Sequence, residues 1–459
     1  MSSYQGLRRF ANAQVESRVN AWPWLVAVRS SCALARSSRR LRGITIAFAL
    51  IGALALSAIA ARRTVDFPVY HYAARSMLRH AGPMYGPHSG IGWPQVYRYP
   101  PLFLLLFIPF ALLPLQIAAV VWAALKFGVL AVLARELFAR LRIHGRVWQI
   151  LVIAAALPYL ALEFHYGNVQ FFIFALVAAA LLWLDQRPQL AAFALALAIS
   201  IKVAPLFFVP YLIARKRVTV AVLALAFTAG LTLLPAAYLG WHANFSLLHQ
   251  WADQEVRVAS TAGEPAIVGF PSQSLHSVLM RYFVPLDYSK LTDSNYPKVN
   301  VANFDPKAVE LLWFLLAAAG YSGLLFLARR LPSDELLMDA IAFCALLLLQ
   351  PFTQLGDLVI LFWPVAVGVA TLRDRSDLPR WIRAAVCTAL AVMVLKPLIP
   401  DRNVQRLVQV LGIDFAVMAM LASSLIAKAV LKPGNSPLRI VAADTSLFRF
   451  RRASKSRST

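Results

Sequence analysis

Acidic residues are scarce in this chain: 21 Asp and Glu stand against 45 Lys and Arg in 459 residues, and charged residues of both signs make up only 14%. So little charge cannot cover a water-facing surface, and with 60% hydrophobic residues the composition excludes an ordinary soluble domain. Cysteine is nearly absent, and Cys32, Cys344 and Cys387 lie too far apart to indicate a disulfide framework or a zinc site. No solenoid period recurs, and no repeat relates the two halves as in many carriers. The net charge of +24 would point a soluble protein toward nucleic acid. Here the basic residues cluster between apolar runs, where they read as topology signals and as attraction to anionic lipid headgroups, so membrane lipids and not nucleic acid are the expected partners.

The long apolar runs define the class: an all-α polytopic integral membrane protein. They fall at about 43–61, 115–137, 147–162, 168–184, 189–201, 203–214, 217–239, 309–328, 336–350, 354–372, 380–396 and 405–427, about twelve in all. Several are shorter than the roughly 20 residues that cross a hydrocarbon core unaided. The segment 101–113 is better read as a half-inserted or interfacial helix in the first outer loop, because a full crossing would put the basic stretch Arg135 to Arg146 outside. With that choice every basic cluster falls inside, including a cytoplasmic tail 1–42 and a Ser, Arg and Lys-rich tail 432–459 whose composition predicts disorder. Residues 43–431 form the transmembrane domain, with outer loops 62–114 and 240–308 and both termini cytoplasmic. The long basic N-terminal region reads as an uncleaved tail, not a signal peptide.

The outer set holds most of the chemistry. Asp66, in the segment Asp66-Phe-Pro-Val-Tyr70-His71-Tyr72-Ala-Ala-Arg75, is a carboxylate at the mouth of the first span in a chain that spends few of them. It is the first candidate for a catalytic base; the plainer alternative is that it caps the helix that follows. Tyr70, Tyr72, Tyr85, Trp93, Tyr97 and Tyr99 crowd the same loop, as either a surface on which sugars stack or an interfacial aromatic belt. Glu163 and His165 form a close acid and imidazole pair, but no third ligand has a recognisable spacing, so no metal is expected.

Four pieces of sequence resemble glycosyltransferase family 87, integral membrane enzymes of the GT-C superfold that use polyprenol-phosphate sugars and include mycobacterial mannosyltransferases. They are the Asp66 to Arg75 segment; Gly82-Pro-Met-Tyr85 with Tyr97-Arg98-Tyr99-Pro-Pro-Leu-Phe103 and Pro109 to Pro114; Gly167-Asn168 with Ile201-Lys202 and Pro205; and Ser272-Gln273-Ser274-Leu275 with Arg281. The resemblance implies Asp66 as general base and a hexose, mannose foremost, moved with inversion from a polyprenyl-phosphate donor to a lipid or glycan acceptor. The reaction would take place on the extracytoplasmic side of the inner (plasma) membrane.

One carboxylate suffices chemically, because the phosphate leaving group needs little or no protonation. A monophosphate can be held by cations without a metal, and no cofactor is implied. Arg75, Arg98, Lys202 and Arg281 are the candidates, each weighed against interface anchoring, snorkelling or a solvated loop position. Lys202 is the most suggestive, since it lies between two apolar runs. Gln273 and His276, with Tyr70, Tyr72, Tyr97 and Tyr99, are candidates for sugar or acceptor contacts. The late turn Gln350 to Asp357 lacks the histidine expected there in the family; Asp357 is either a second outer acid or a helix cap. The competing class is a carrier or flippase for an anionic lipid-linked substrate.

Overall fold

A computed structural model describes residues 52, 54–62, 64–79, 83–86, 96–260, 272–287, 297–331, 334–374 and 378–431. The tails 1–42 and 432–459, most of the first apolar run 43–61, and Trp93 lie outside the described residues. The chain divides into two compact units, Met1–Ile59 and Ala60–Thr459. The elements below belong to the second.

The described residues are almost entirely helical, with no strand among them beyond an isolated bridge between Ser272 and Gln354. Seven stretches are long and apolar enough to cross a membrane: Leu115–Arg140, Arg146–Tyr166, Val218–Leu239, Pro306–Arg330, Leu355–Arg373, Arg380–Leu398 and Ile413–Leu431. The protein is a multi-pass membrane protein. Gln170–Trp183, Pro188–Ile201, Ala204–Ala214 and Glu335–Leu349 are shorter than a hydrocarbon core is thick at 1.5 Å per residue. Among the described residues, which leave out most of the first of the about twelve runs expected from hydropathy, seven crossings rest on helix length.

Helix α1 (Phe67–Leu78) follows Asp66, with Pro68 in its first turn. The segment 101–113 does not form a crossing helix: it breaks into α2 (Pro101–Leu106) and α3 (Ile108–Ala111), with Pro109 opening the second. Next come α4 (Leu115–Arg140) and α5 (Arg146–Tyr166), the latter closed by Gly167 at φ +70°. A Cβ at Gly167 would lie 2.7 Å from the Phe67 Cβ, so glycine is required both by the backbone and by the approach of α1. Then come α6 (Gln170–Trp183), α7 (Pro188–Ile201), α8 (Phe208–Ala214), α9 (Val218–Leu233) and α10 (Ala236–Leu239).

The described residues of the long loop 240–308 include two helices. The loop opens with the amphipathic α11 (Trp241–Ser260) and later holds α12 (Leu275–Phe283), capped by Ser274, whose hydroxyl accepts from the Ser277 amide. Helices α13 (Pro306–Arg330), α14 (Glu335–Leu349), α15 (Phe362–Arg373) and α16 (Arg380–Leu395) follow. The expected last span, 405–427, is two helices, α17 (Arg402–Val410) and α18 (Ile413–Leu431). Asp401 starts α17 by accepting the Asn403 and Val404 amides, and Gly412 at φ +74° turns the chain into α18. Leu355–Arg373 is the centre of the bundle, with 89% of its apolar window buried against 11% for Pro306–Arg330 at the periphery.

Candidate active site

Asp66 does not cap α1. Its backbone is in the helical region and its carboxylate accepts no amide from the helix, so the capping alternative falls. Oδ2 instead takes a 2.8 Å hydrogen bond from Asn168 Nδ2, across 102 residues of sequence. Among the described residues none bonds to Oδ1, and none forms an ion pair with the carboxylate. The Asp66 and Val65 amides both donate to the Tyr166 carbonyl, at 2.9 and 3.2 Å, which fixes the segment against the end of α5.

Behind Asp66 lies a continuous aromatic wall. Phe67 packs on Phe107 and Trp122, and Tyr70 meets Tyr99, Phe103 and Phe107 edge-on. The Tyr70 and Tyr99 hydroxyls are 3.0 Å apart. Burial against this wall raises the Asp66 carboxyl above its ordinary value, partly offset by the Asn168 hydrogen bond and by the charge of Lys126.

Lys202 is tied to the same turn as Asp66, through Gln170, two residues after Asn168. Its ammonium donates to Gln170 Oε1 at 3.0 Å and to Asp357 Oδ1 at 3.1 Å, and its side chain keeps 38% exposure. Asp357 takes part in a helix cap, since Oδ2 accepts the Gln354 amide in a capping box, and its Oδ1 meets Lys202. Arg98 reaches the same electrostatic neighbourhood, since its charge and those of Asp66 and Asp357 all act on Tyr99. Its guanidinium, however, is forked onto Glu255 of α11 at 2.9 and 3.2 Å. Trp251 and Gln254 of the same helix donate to the Arg98 and Tyr97 carbonyls, stitching α11 to the segment before α2.

The remaining candidates separate from this group. Tyr97 is fully buried between Tyr85 and Tyr99, with its hydroxyl directed to the Pro100 carbonyl. Tyr72 packs edge-on to His71, whose Nε2 lies 3.0 Å from the Leu113 carbonyl. Arg75, half-buried at the far end of α1, has no side-chain hydrogen bond or ion pair among the described residues; nine residues at 1.5 Å each put its backbone about 13 Å from that of Asp66. Gln273, His276 and Arg281 join a second cluster with the 351–354 turn and the end of α17. Gln273 donates to the Gln409 carbonyl and His276 Nδ1 lies 3.2 Å from the Pro351 carbonyl. Arg281 is buried and gives Nε to the Val410 carbonyl and Nη1 to the Ser272 carbonyl. In place of an open phosphate ligand, the structure thus shows Arg281 clamping two backbone segments.

The Glu163 and His165 pair expected in a turn does not exist as a pair. Glu163 is still helical and fully buried, bonded to Lys126 Nζ at 2.9 Å and to the Phe171 amide at 2.9 Å, whereas His165 is exposed on the other side of α5. Among the described residues no three His, Cys, Asp or Glu side chains converge as metal ligands. Sequence reasoning gave no role to Asn168, Gln170 or Lys126. The last had a signal: a lysine in the middle of an apolar span demands a partner, and Glu163 near the end of the next span is the available acid.

A carboxylate held by one oxygen and backed by aromatics, with an ammonium tied to the same turn, is suited to move a proton beside a group that leaves as an anion. A family model for glycosyltransferase family 87 matches residues 97–351, more than half of the chain. The chain belongs to glycosyltransferase family 87. It is a membrane glycosyltransferase, and sugar donor, acceptor and lipid are its partners in that general sense. No curated protein matches it. The family 87 match takes in Asn168, Gln170, Lys202 and Arg281 but begins after Asp66 and ends before Asp357, so the roles of those two acids rest on geometry.

Proposed function

We propose that this protein transfers mannose from polyprenyl-phosphate mannose to a hydroxyl of a lipid or glycan acceptor, with inversion, at the outer face of the inner membrane. The observation that carries this reading is the Asp66 carboxylate, oriented by Asn168 through one oxygen and unbonded at the other among the described residues. Asp66 takes the proton from the acceptor hydroxyl as that oxygen bonds to the anomeric carbon. The bond from that carbon to the phosphate oxygen breaks, its electron pair leaves on polyprenyl phosphate, and the developing charge is met by Lys202.

In-line displacement puts the attacking and leaving oxygens on opposite faces of the sugar. Base and cation should then flank it at roughly 8–10 Å, as two hydrogen bonds plus two partial bonds require, and not touch. The absence of a direct Asp66 to Lys202 ion pair among the described residues suits that demand. Arg98 would assist with the phosphate, while Tyr70 and Tyr99, which stand behind Asp66, would line the sugar. Both termini would be cytoplasmic, as the distribution of basic clusters requires.

Transfer of labelled mannose from polyprenyl-phosphate mannose, measured in membranes carrying the wild type or Asp66→Asn, tests the reading. Transfer by the wild type and none by the variant is expected. Turnover by Asp66→Asn would remove the base; no transfer by the wild type would remove this donor; movement of the lipid without conversion would turn the argument toward a carrier.

A further inference from the structure

The turn between α5 and α6 touches both halves of the proposed site. Asn168 donates to Asp66, and two residues later Gln170 accepts from Lys202. The two amides are themselves linked, since Asn168 Oδ1 accepts the Gln170 backbone amide at 3.0 Å. The turn is in turn held from one face of α4: Trp122 Nε1 donates to the Gly167 carbonyl at 2.9 Å, and Lys126, one helical turn on, bonds the Glu163 carboxylate. The other oxygen of Glu163 accepts the Phe171 amide at 2.9 Å, so the ends of α5 and α6 are pinned together across the turn.

We propose that this turn is a yoke that sets the spacing between base and cation, with Asn168 the positioning residue for Asp66 and Gln170 the positioning residue for Lys202. The proposal rests on the reading of Asp66 as base and Lys202 as phosphate ligand. With its backbone held to Tyr166 and Oδ2 held by Asn168, the Asp66 side chain is confined to one rotamer, which fixes the position of the other oxygen. Without the Asn168 donor the side chain samples other rotamers and the productive fraction falls. Gln170 is buried and offers Lys202 a neutral acceptor beside the charged Asp357, which holds the ammonium in place without cancelling its charge.

The two amides predict different kinetics, and a merely structural turn does not. In the full chain in native membranes, with polyprenyl-phosphate mannose as donor, Asn168→Ala is expected to lower kcat about 10- to 100-fold with the donor KM within about twofold. It also removes a hydrogen bond that favours the carboxylate, so the acid limb of its rate profile moves to higher pH. Asn168→Asp keeps the shape and the Gln170 contact but sets a second carboxylate against Asp66, so its limb moves further in the same direction. Gln170→Ala is expected to raise the donor KM several-fold with a smaller effect on kcat. Equal changes in kcat and KM for both positions, or surviving Asn168→Ala and Asn168→Asp molecules with wild-type kcat and an unmoved limb, would overturn the proposal. Asp66→Asn in the same assay separates the layers: an active Asp66→Asn defeats the base reading itself, whereas an inactive one with unaffected Asn168 variants defeats only the yoke.

Discussion

Lys126 reaches the Glu163 carboxylate at 2.9 Å with neither side chain exposed. The pair sits between two membrane-spanning helices, with the Lys126 ammonium also 5.3 Å from the centre of the Phe164 ring. In a water-excluded setting each charge is tolerable only because the other is present.

Lys126→Met should therefore cost about 3–5 kcal/mol by leaving Glu163 uncompensated, while Lys126→Met with Glu163→Gln should recover most of that. The glutamine would still accept the Phe171 amide through its carbonyl oxygen. Thermal unfolding of the detergent-solubilised protein measures the cycle, and additive losses in the two single variants would show that the pair is not coupled.

The rate of transfer should depend on pH through Asp66. Burial raises its carboxyl above its ordinary value, and only the deprotonated form can accept the acceptor proton. Activity is thus present above that raised value and lost as pH falls through it, earlier than for a solvent-exposed aspartate near about 3.9. A profile of kcat/KM against pH checks this, and a rate that stays flat down to the ordinary carboxylate range contradicts it.

Much of this arrangement was legible in the chain and some was not, for identifiable reasons. Asp66 stood out because an acid beside an apolar run is costly, and Lys202 because it interrupts two such runs. That 101–113 is not a full crossing was readable from the basic stretch Arg135 to Arg146, whereas its break into two short helices was not anticipated. The division of 405–427 at Gly412 was missed although the chain carries a signal for it: Arg402, Asn403, Gln405, Arg406 and Gln409 make Arg402–Val410 amphipathic, whereas Ile413–Leu431 is apolar. Asn168 and Gln170 were silent as functional residues because neutral amides carry no charge signature, and their partners lie 102 and 32 residues away. Arg281 read as a phosphate ligand or a solvated loop arginine, since no local pattern announces that the Ser272 and Val410 carbonyls will meet around it.

Arg281 provides a test of that last distinction. If its guanidinium serves the two carbonyls, Arg281→Gln should lower the thermal midpoint, by a loss on the order of 2–3 kcal/mol, and leave the donor KM of the surviving enzyme unchanged. A raised KM with an unaltered midpoint would return Arg281 to the phosphate.

Asp357 offers the sharpest test of the cation. It lies 3.1 Å from Lys202, so in the free enzyme part of the charge meant for phosphate is already neutralised by a neighbouring carboxylate. Donor binding must then compete with Asp357 for the ammonium. Because the Lys202 side chain is more than one-third exposed, solvent screens the pair and keeps its strength modest. Asp357→Asn preserves the shape and an oxygen for the Gln354 amide while removing the competing charge. The donor KM is expected to fall by about two- to fivefold, the equivalent of a partly exposed ion pair. Lys202→Ala should raise the same KM, and in the double variant the benefit of Asp357→Asn should vanish, because there is no longer an ammonium to release. Should Asp357→Asn raise the donor KM instead, the carboxylate would be supporting the cation and not competing with the phosphate, and the order of events at Lys202 would have to be reversed.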